Sequence, residues 1–189
     1  MASRWLPETP DALRAALDGG VFGEGHVFDV KEKLSPGPSG NRDLAVDVAS
    51  FAVDGGVIVV GVRENKEMRT FELDPVPLAG LAERVDQVAR SRVDPPVQVT
   101  CVELVAGDGH GFLVINVPQS PLAPHMVDGR YRGRGDTTNI VLPDAEVRRL
   151  HERAALNADR ATRLLRDEVC ATRRRREAMG STCSSSRSP

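Results

Sequence analysis

Six successive apolar or glycine residues, VIVVGV at 57–62, leave this chain few possible architectures. A run without polar alternation is typical of a strand buried on both faces, so other elements must cover each side of it. The stretch before it carries apolar residues at helical spacing from Leu44 to Ala52. That stretch ends at Gly55-Gly56, where glycine allows the left-handed turn that follows many helices. We therefore predict a helix over 41–53 that packs across a central strand.

The rest of the sequence alternates between helical and extended patterns. Capping and breaking residues bound a first helix between Thr9-Pro10 and Gly19-Gly20, and an alternating stretch indicates a strand over 26–31. The other predicted elements are a loop at 35–43, a helix over 78–93, strands at 96–105 and 111–117, a hairpin around Asp128-Gly129, and a long helix over 141–169. This mixture predicts an α+β or mixed α/β fold in which strands 26–31 and 57–62 are neighbours in one sheet.

Length and charge limit the classes of function. The 189 residues suit one domain with an extension. Residues 145–189 hold 11 Arg and 6 Asp or Glu, a net of +5, so the net charge of −2 leaves −7 on residues 1–144. Any nucleic-acid contact in the body must therefore be local. The chain has three cysteines but no C-x-x-C pair, and it shows neither a signal-peptide pattern nor an apolar run long enough to cross a bilayer. These features predict a cytoplasmic protein without a membrane partner.

The stretch GEGHVFDVKEKL at 23–34 carries the first candidate site. Alternation along a strand places Asp29 and Lys31 on one face, within about 7 Å of each other. With Glu24, and with Glu64 just past strand 57–62, these residues could hold Mg²⁺ or Mn²⁺ and stabilise charge on a phosphate. The alternative from spacing alone is an ion pair on an exposed strand.

The second candidate is DGRYRGRGDTTN at 128–139. In a strand, Arg130, Arg132 and Arg134 project from one side and Tyr131 from the other. Three arginines in a row suit a phosphate backbone, and the hydroxyls of Thr137 and Thr138 could add contacts. The alternative is an exposed edge hairpin whose arginines serve solubility.

The C-terminal helix carries a third candidate. Its apolar and small residues recur at heptad spacing at Val147, Leu150, Ala154, Asn157, Ala161 and Leu164. The seam over 147–164 predicts either a homodimer or partner-helix contact, or a helix that packs back on its own domain. A basic run, RRRR at 173–176, follows, and the low-complexity residues 180–189 are predicted to be disordered.

These motifs, in this order, resemble the Schlafen-type AlbA domain, a family of DNA-binding domains common in bacterial proteins. The resemblance covers roughly residues 9–150. GEGHVFDVKEKL is similar to the family's Gly-Glu…Glu-Phe-Lys opening, and DVASFAVDGGVIVVGV is similar to its helix-turn-strand motif. INVPQSPLAPH followed by RYRGRGDTTNIVLPDAEV is similar to its closing motif. The resemblance implies a compact mixed sheet flanked by helices that binds nucleic acid.

In animal members of the family, similar domains cleave tRNA and rRNA through three carboxylates. Glu24 and Asp29 match two of those positions, and Glu64 is the nearest candidate for the third. Asp29 is shorter than the usual Glu, and Arg63 stands where an acid is common. We therefore favour a nucleic-acid-binding module that needs no cofactor and uses Lys31 with the arginine hairpin, and a regulatory role is one interpretation of such a module.

Two alternatives stay open. One is a Mg²⁺- or Mn²⁺-dependent endoribonuclease whose catalytic residues are Glu24, Asp29, Lys31 and Glu64. The other is a non-enzymatic interaction protein that uses the C-terminal helix. The predicted organisation is a nucleic-acid-binding domain over 1–150, a basic helix over 151–179 and a disordered tail over 180–189.

Overall fold

The structure, a computed structural model, describes residues 7–19, 26–65 and 70–181, with backbone alone over 173–181. Four helices occur in these ranges: α1 (Pro10–Asp18), α2 (Gly37–Phe51), α3 (Leu81–Ser91) and α4 (Asp144–Ser181). The strands are β1 (Phe28–Lys31), β2 (Gly56–Val60), β3 (Val62–Asn65), β4 (Thr70–Leu73), β5 (Val76–Pro77), β6 (Thr100–Gly107), β7 (His110–Val117), β8 (His125–Val127), β9 (Arg130–Arg134) and β10 (Asn139–Val141). The class is mixed α+β, as the sequence predicted.

A five-stranded mixed sheet forms the centre of the molecule. Its order is β1-β2-β7-β5, and β6 also pairs with β7. β1 and β2 are parallel neighbours, with Asp29 opposite Ile58 and Lys31 opposite Val60. The other pairs in this sheet are antiparallel. The predicted pairing of strands 26–31 and 57–62 is therefore confirmed.

Apolar side chains fill both sides of this sheet. On one side, Ile58 and Val60 of β2 pack with residues of α2 and α3. On the other side, Val57 and Val59 pack with Leu13 and its neighbours on α1. Every residue of β2 is buried, which confirms the prediction made from its unbroken apolar run.

The start of α2 corrects one prediction. The segment 35–43 was expected to be a loop because it is rich in Pro, Gly and Ser, yet the helix begins at Gly37. Proline is tolerated in the first turn of a helix, where its missing N–H has no partner to lose, so Pro38 is compatible with this start. Gly40 is buried so close to the Ser35 carbonyl that a Cβ there would overlap it. These residues suit a tightly packed first turn rather than a loop.

A three-stranded antiparallel sheet, in the order β10-β9-β8, packs against α2. The predicted hairpin between β8 and β9 is confirmed, and its turn places Asp128 at φ 52° and Gly129 at φ 69°. Positive φ at both central residues is the geometry of the tight turn that Asp-Gly favours. The remaining two strands, β3 and β4, form a separate hairpin.

The long helix α4 begins directly after Pro143 and runs to Ser181. Leu150 is fully buried against the body, and Val147 and Ala154 are half-buried. The helix is longer than the predicted 141–169, and it includes the first two residues of the tail predicted over 180–189. The rest of that tail lies outside the described residues. No helix in the described part of the chain is long and apolar enough to cross a membrane.

Candidate functional site

Lys31 lies between two carboxylates at the end of β1. Its Nζ is 3.1 Å from Asp29 Oδ2 and 2.9 Å from Asp47 Oδ2. Asp29 and Lys31 share one face of β1 because they are two residues apart, and α2 covers that face and supplies Asp47. The predicted acid-x-lysine pair is therefore a direct ion pair, extended by a second acid from the neighbouring helix.

Arg134 joins the same polar cluster from β9. Its Nη2 lies 3.5 Å from Asp29 Oδ1 and 3.4 Å from the Phe28 carbonyl oxygen. Its guanidinium stacks over the ring of Phe51, 4.3 Å from the ring centroid. Asn139 of β10 completes the cluster, because its amide donates to Asp47 at 2.6 Å and its carbonyl oxygen accepts from Arg134 at 3.4 Å. We call these five residues the polar cluster: Asp29, Lys31, Asp47, Arg134 and Asn139.

Burial and charge together set the ionisation of this cluster. Burial raises the pKa of Asp47, and the Lys31 ammonium and the Asn139 amide oppose that rise. Burial would lower the pKa of Lys31, but the charges of Asp47 and Asp29 outweigh it, so the pKa of Lys31 is raised. Two acids and two bases balance to a formal charge of zero. The cluster thus ties β1, α2, β9 and β10 together without excess charge.

The three carboxylates predicted as metal ligands are Asp29, Glu64 and Glu24, and the structure does not bring them together as one described group. Asp29 is paired with Lys31 and Arg134. Glu64 lies on the β3–β4 hairpin, opposite Phe71, while Asp29 is level with Ile58 of β2. Glu24 lies outside the described residues. Over the described ranges, no three His, Cys, Asp or Glu side chains form a group that could hold a metal ion. Binding of Mg²⁺ or Mn²⁺ stays a prediction.

The three arginines of β9 share a strand face but differ in exposure. Arg130 is exposed, Arg132 is half-buried, and Arg134 is 8% exposed. The difference arises because this face turns toward α2, so the strand runs from solvent into the protein. Arg134 contacts the polar cluster, while Arg130 reaches solvent. Contact of these three arginines with phosphate stays a prediction.

Two further arginines, distant in sequence from this hairpin, lie near it in the fold. Arg42 of α2 donates to Asp128 Oδ2 at 2.5 Å. That hydrogen bond lowers the pKa of Asp128, and the charges of Arg132 and Arg92 lower it further. Arg42, Arg92, Arg130 and Arg132, which we call the arginine surface, therefore lie around one acidic turn. They come from α2, the end of α3 and β9, which explains why linear spacing did not group them.

Arg132 has an unusual environment within this surface. Its Nε is buried, and no acceptor contacts it in the described structure. The residue opposite it on β8 is His125, which is fully buried and contacts the Pro95 carbonyl through Nδ1 at 2.7 Å. Burial lowers the pKa of His125, so the imidazole beside Arg132 is favoured in its neutral form. The environment of Arg132 is therefore partly enclosed, unlike that of the exposed Arg130.

A cleft of about 290 Å³ opens beside Lys31 at the start of α2. Its charged lining residues are Lys31, Glu32, Lys33, Asp43 and Asp47. Three acids against two lysines do not favour an anionic ligand. The arginine surface is therefore a better phosphate-binding candidate than this cleft.

Of the remaining residues predicted to contact nucleic acid, Tyr131 lies on the face of β9 opposite the arginines, and Thr137 and Thr138 follow β9. The Tyr131 ring meets the His151 ring of α4 edge-on, with centroids 5.6 Å apart. Thr137 and Thr138 are exposed in the connection between β9 and β10. Tyr131 thus helps to seat α4, while both threonine hydroxyls are accessible.

His26 links three parts of the structure near that connection. Its Nδ1 is 3.2 Å from the Gly135 carbonyl oxygen, and its Nε2 is 3.0 Å from Asp54 Oδ2. Arg153 of α4 contacts the other oxygen of Asp54 at 3.4 Å and donates to the Val53 carbonyl at 2.7 Å. The hydrogen bond to Asp54 raises the pKa of His26 despite some burial. We call His26, Asp54 and Arg153 the hinge cluster, because these residues join the first turns of α4 to the rest of the domain.

The sequence does carry a signal for Asp47, although Asp47 was not among the predicted site residues. Asp47 lies three residues after Leu44 and four before Phe51, so it occupies the apolar face of α2. An acid at an inward helical position indicates a buried, paired charge. Asn139, Arg42 and Arg92 carry no comparable signal, because their partners are distant in sequence.

Comparison with models of protein families shows which family this chain belongs to. The family model Schlafen, AlbA_2 matches residues 24–142. The chain belongs to this family. The match includes the complete polar cluster and arginine surface of this AlbA_2 domain, and it ends just before α4. The resemblance inferred from the motifs is therefore confirmed.

Two solved structures are similar to this AlbA_2 chain. The DIP2311 protein from Corynebacterium diphtheriae is 22% identical, with a TM-score of 0.43; the match covers 71% of this chain and 28% of that one. The N-terminal domain of a RecG-related protein from Nitrosomonas europaea is 19% identical, with a TM-score of 0.42; the match covers 74% of this chain and 97% of that one. This chain thus spans less than a third of the DIP2311 protein. No curated protein matched it.

Proposed function

We propose that this AlbA_2 domain binds nucleic acid through phosphate contacts at the arginine surface. The observation that carries the proposal is the convergence of Arg42, Arg92 and Arg132 on the single acidic turn at Asp128. Arg130, two residues beyond Asp128, extends the surface into solvent. Asp128 pairs directly with Arg42, and this carboxylate with the four guanidinium groups has a formal charge of +3. The charge of Asp43 also acts on Arg42 and reduces the local excess to +2.

The chemistry of arginine supports phosphate as the ligand. Guanidinium groups present a planar fork of donors that matches phosphate oxygens, and their charge persists at any physiological pH. Because the body of the chain is acidic, contact is restricted to this local surface rather than spread over the protein.

The polar cluster has a positioning role in this proposal. Arg134 anchors the far end of β9 to Asp29, while Lys31 holds β1 to α2 through Asp47. That arrangement fixes β9 relative to α2, the two elements that carry Arg130, Arg132 and Arg42. Lys31 is a quarter exposed and flanked by two acids, so it contributes less to phosphate binding than the exposed arginines. Thr137 and Thr138 supply secondary hydroxyl contacts.

A metal-dependent endoribonuclease is the second proposal for the same domain. It rests on the resemblance and on the acid-x-lysine pair, and it requires Glu24 and Glu64 to join Asp29 around Mg²⁺ or Mn²⁺. In that case Lys31 would stabilise charge on the phosphate, and its ion pair with Asp29 would have to open. Binding alone requires no such rearrangement, so we favour it.

One gel-shift and cleavage series tests both proposals. Full-length chain is incubated with tRNA and with duplex DNA, with added Mn²⁺ and with chelator, at low and high salt. We expect salt-sensitive complexes in both metal conditions and intact nucleic acid in both. Cleavage that requires Mn²⁺ would establish the nuclease instead. The absence of complexes with either nucleic acid at low salt would overturn both proposals.

A further inference from the structure

The tip of the β8–β9 hairpin places a carboxylate among the guanidinium groups of the arginine surface. Asp128 Oδ2 accepts from Arg42 Nε at 2.5 Å. That hydrogen bond lowers the pKa of Asp128, and the charges of Arg42, Arg132 and Arg92 act in the same direction. The acid therefore occupies a donor of Arg42 that a phosphate oxygen would use.

The turn itself does not require an acid at this position. Asp128 has φ 52° and Gly129 has φ 69°, which is the geometry of a tight hairpin turn. Asparagine adopts the left-handed conformation as readily as aspartate, and Asn-Gly is as favourable in such turns as Asp-Gly. The negative charge of Asp128 is therefore a property that the backbone leaves free to vary.

The pair between Arg42 and Asp128 can open without disturbing the fold. The Arg42 side chain is 52% exposed and that of Asp128 is 53% exposed. An ion pair in such an exposed setting contributes little to stability. Carboxylate and phosphate oxygens both accept charge-assisted hydrogen bonds from a guanidinium group. A phosphate oxygen can therefore take the place of Asp128 Oδ2 while the hairpin stays as it is.

We propose that Asp128 is an internal competitor for phosphate: it pairs with Arg42 in the free domain, and a phosphate of the bound nucleic acid displaces it. This inference rests on the proposed binding at the arginine surface. The displaced carboxylate stays close to the phosphate and repels it, so the surface binds more weakly than its arginines alone would. Asp128 thus sets the affinity of the surface, while the arginines set its position.

A matched pair of charge-removing variants tests the competition. Full-length chains are titrated into a labelled DNA duplex at fixed salt, and binding is followed by fluorescence anisotropy. We expect Asp128→Asn to tighten binding about three- to tenfold, the effect of removing a like charge roughly 5 Å from a phosphate. Asp43 acts on Arg42 through its charge, more weakly than Asp128 does. Asp43→Asn should therefore tighten binding by less than about twofold, because screening reduces the weaker repulsion further.

Both variants lose the same charge, and circular dichroism melts check that both keep the fold. Equal affinities of the two variants would show that Asp128 acts only through the net charge of the domain. Weaker binding by Asp128→Asn would show that the carboxylate positions Arg42 for the phosphate instead of competing with it. Either result would overturn the proposal.

A double-mutant cycle tests whether the competition acts through Arg42. In an Arg42→Ala background, the gain from Asp128→Asn should shrink to that of Asp43→Asn, because the contested guanidinium group is gone. An equal gain with and without Arg42 would contradict the displacement. Wild-type binding without a gain in Asp128→Asn would overturn this inference alone. The absence of complexes with the wild type and with every variant would overturn the proposed function together with it.

Discussion

Lys31 of β1 and Asp47 of α2 form the ion pair that fastens the helix to the central sheet, with 2.9 Å between Nζ and Oδ2. The Asp47 side chain is 8% exposed and that of Lys31 is 27% exposed. Asp29 contacts the same ammonium at 3.1 Å, so the lysine is enclosed by acids on two sides. This arrangement gives both acids a structural role, whatever the domain binds.

Removing the charge of Asp47 should therefore destabilise the fold. We expect Asp47→Asn to lower the free energy of unfolding by about 1–3 kcal/mol, less than the 3–5 kcal/mol typical of a fully buried pair because Lys31 is partly solvated. Urea denaturation followed by circular dichroism provides the measurement. Asp43→Asn is the matched control, since Asp43 is exposed one turn earlier on the same helix. Equal stability of the two variants would show that the pair contributes nothing.

Alanine variants of two arginines on β9 should separate an effect on stability from an effect on nucleic-acid binding. Arg134→Ala removes a buried side chain that contacts Asp29 and Phe51, so we expect a lower midpoint of unfolding. Arg130→Ala removes an exposed side chain and should leave that midpoint unchanged while it weakens nucleic-acid binding. Thermal melts and gel shifts on both variants measure the two effects. If Arg134→Ala were fully stable and Arg130→Ala bound normally, the assignment of roles along β9 would be wrong.

The hinge cluster predicts that the stability of the fold depends on pH. Both ring nitrogens of His26 face acceptors, so both must donate, and the charged imidazolium is the favoured form. The raised pKa means that this stabilisation is complete below the ordinary value of 6.5 and is lost as pH rises through the higher folded value. The nearby Arg134 charge opposes the rise but does not cancel it.

An NMR titration of the His26 ring measures this effect. The midpoint should lie above 6.5 in the wild type and should fall in Asp54→Asn, where the negative charge is lost. Asp128→Asn, at the far end of the three-stranded sheet, should leave the midpoint unchanged. A wild-type midpoint at or below 6.5 would show that the contact with Asp54 does not favour the imidazolium.

Gly40 should tolerate no side chain. A Cβ at this position would overlap the Ser35 carbonyl oxygen, which is backbone and cannot move aside cheaply. We expect Gly40→Ala to cost about 1–3 kcal/mol of stability, although alanine is the better helix former. Ser39→Ala, at the exposed neighbouring position, serves as the control in the same denaturation experiment. A stabilised Gly40→Ala variant would mean that the first turn of α2 is looser than the structure shows.

Local patterns in the sequence were sufficient for the central part of the fold. The unbroken apolar run predicted β2, and the helix-turn-strand spacing predicted that α2 would cover it. The start of α2 was missed because Pro and Gly favour loops on average, whereas here they serve a first turn and a close backbone contact. The short strands β3, β4, β5 and β10 were missed because few residues carry their pattern.

The candidate site shows the same division between local and long-range information. Asp29 and Lys31 were identified because two residues on one strand determine their proximity. Arg134, which contacts Asp29, and Asn139, which contacts Asp47, come from strands about a hundred residues away, so only the folded chain reveals the polar cluster. Arg42 and Arg92 were likewise invisible as a group until α2 and α3 were placed beside the β8–β9 turn.

The salt dependence of nucleic-acid binding tests the central claim most directly. We compare a triple variant, Arg42→Ala with Arg130→Ala and Arg132→Ala, against a control triple at the exposed arginines Arg14, Arg63 and Arg90. Both triples lose the same charge. Because each phosphate contact contributes roughly 0.9 to the slope of log affinity against log salt on duplex DNA, the first triple should lower that slope by about 2–3. The control slope should match the wild type. Equal slopes in all three proteins would contradict the assignment of the nucleic-acid interface to the arginine surface.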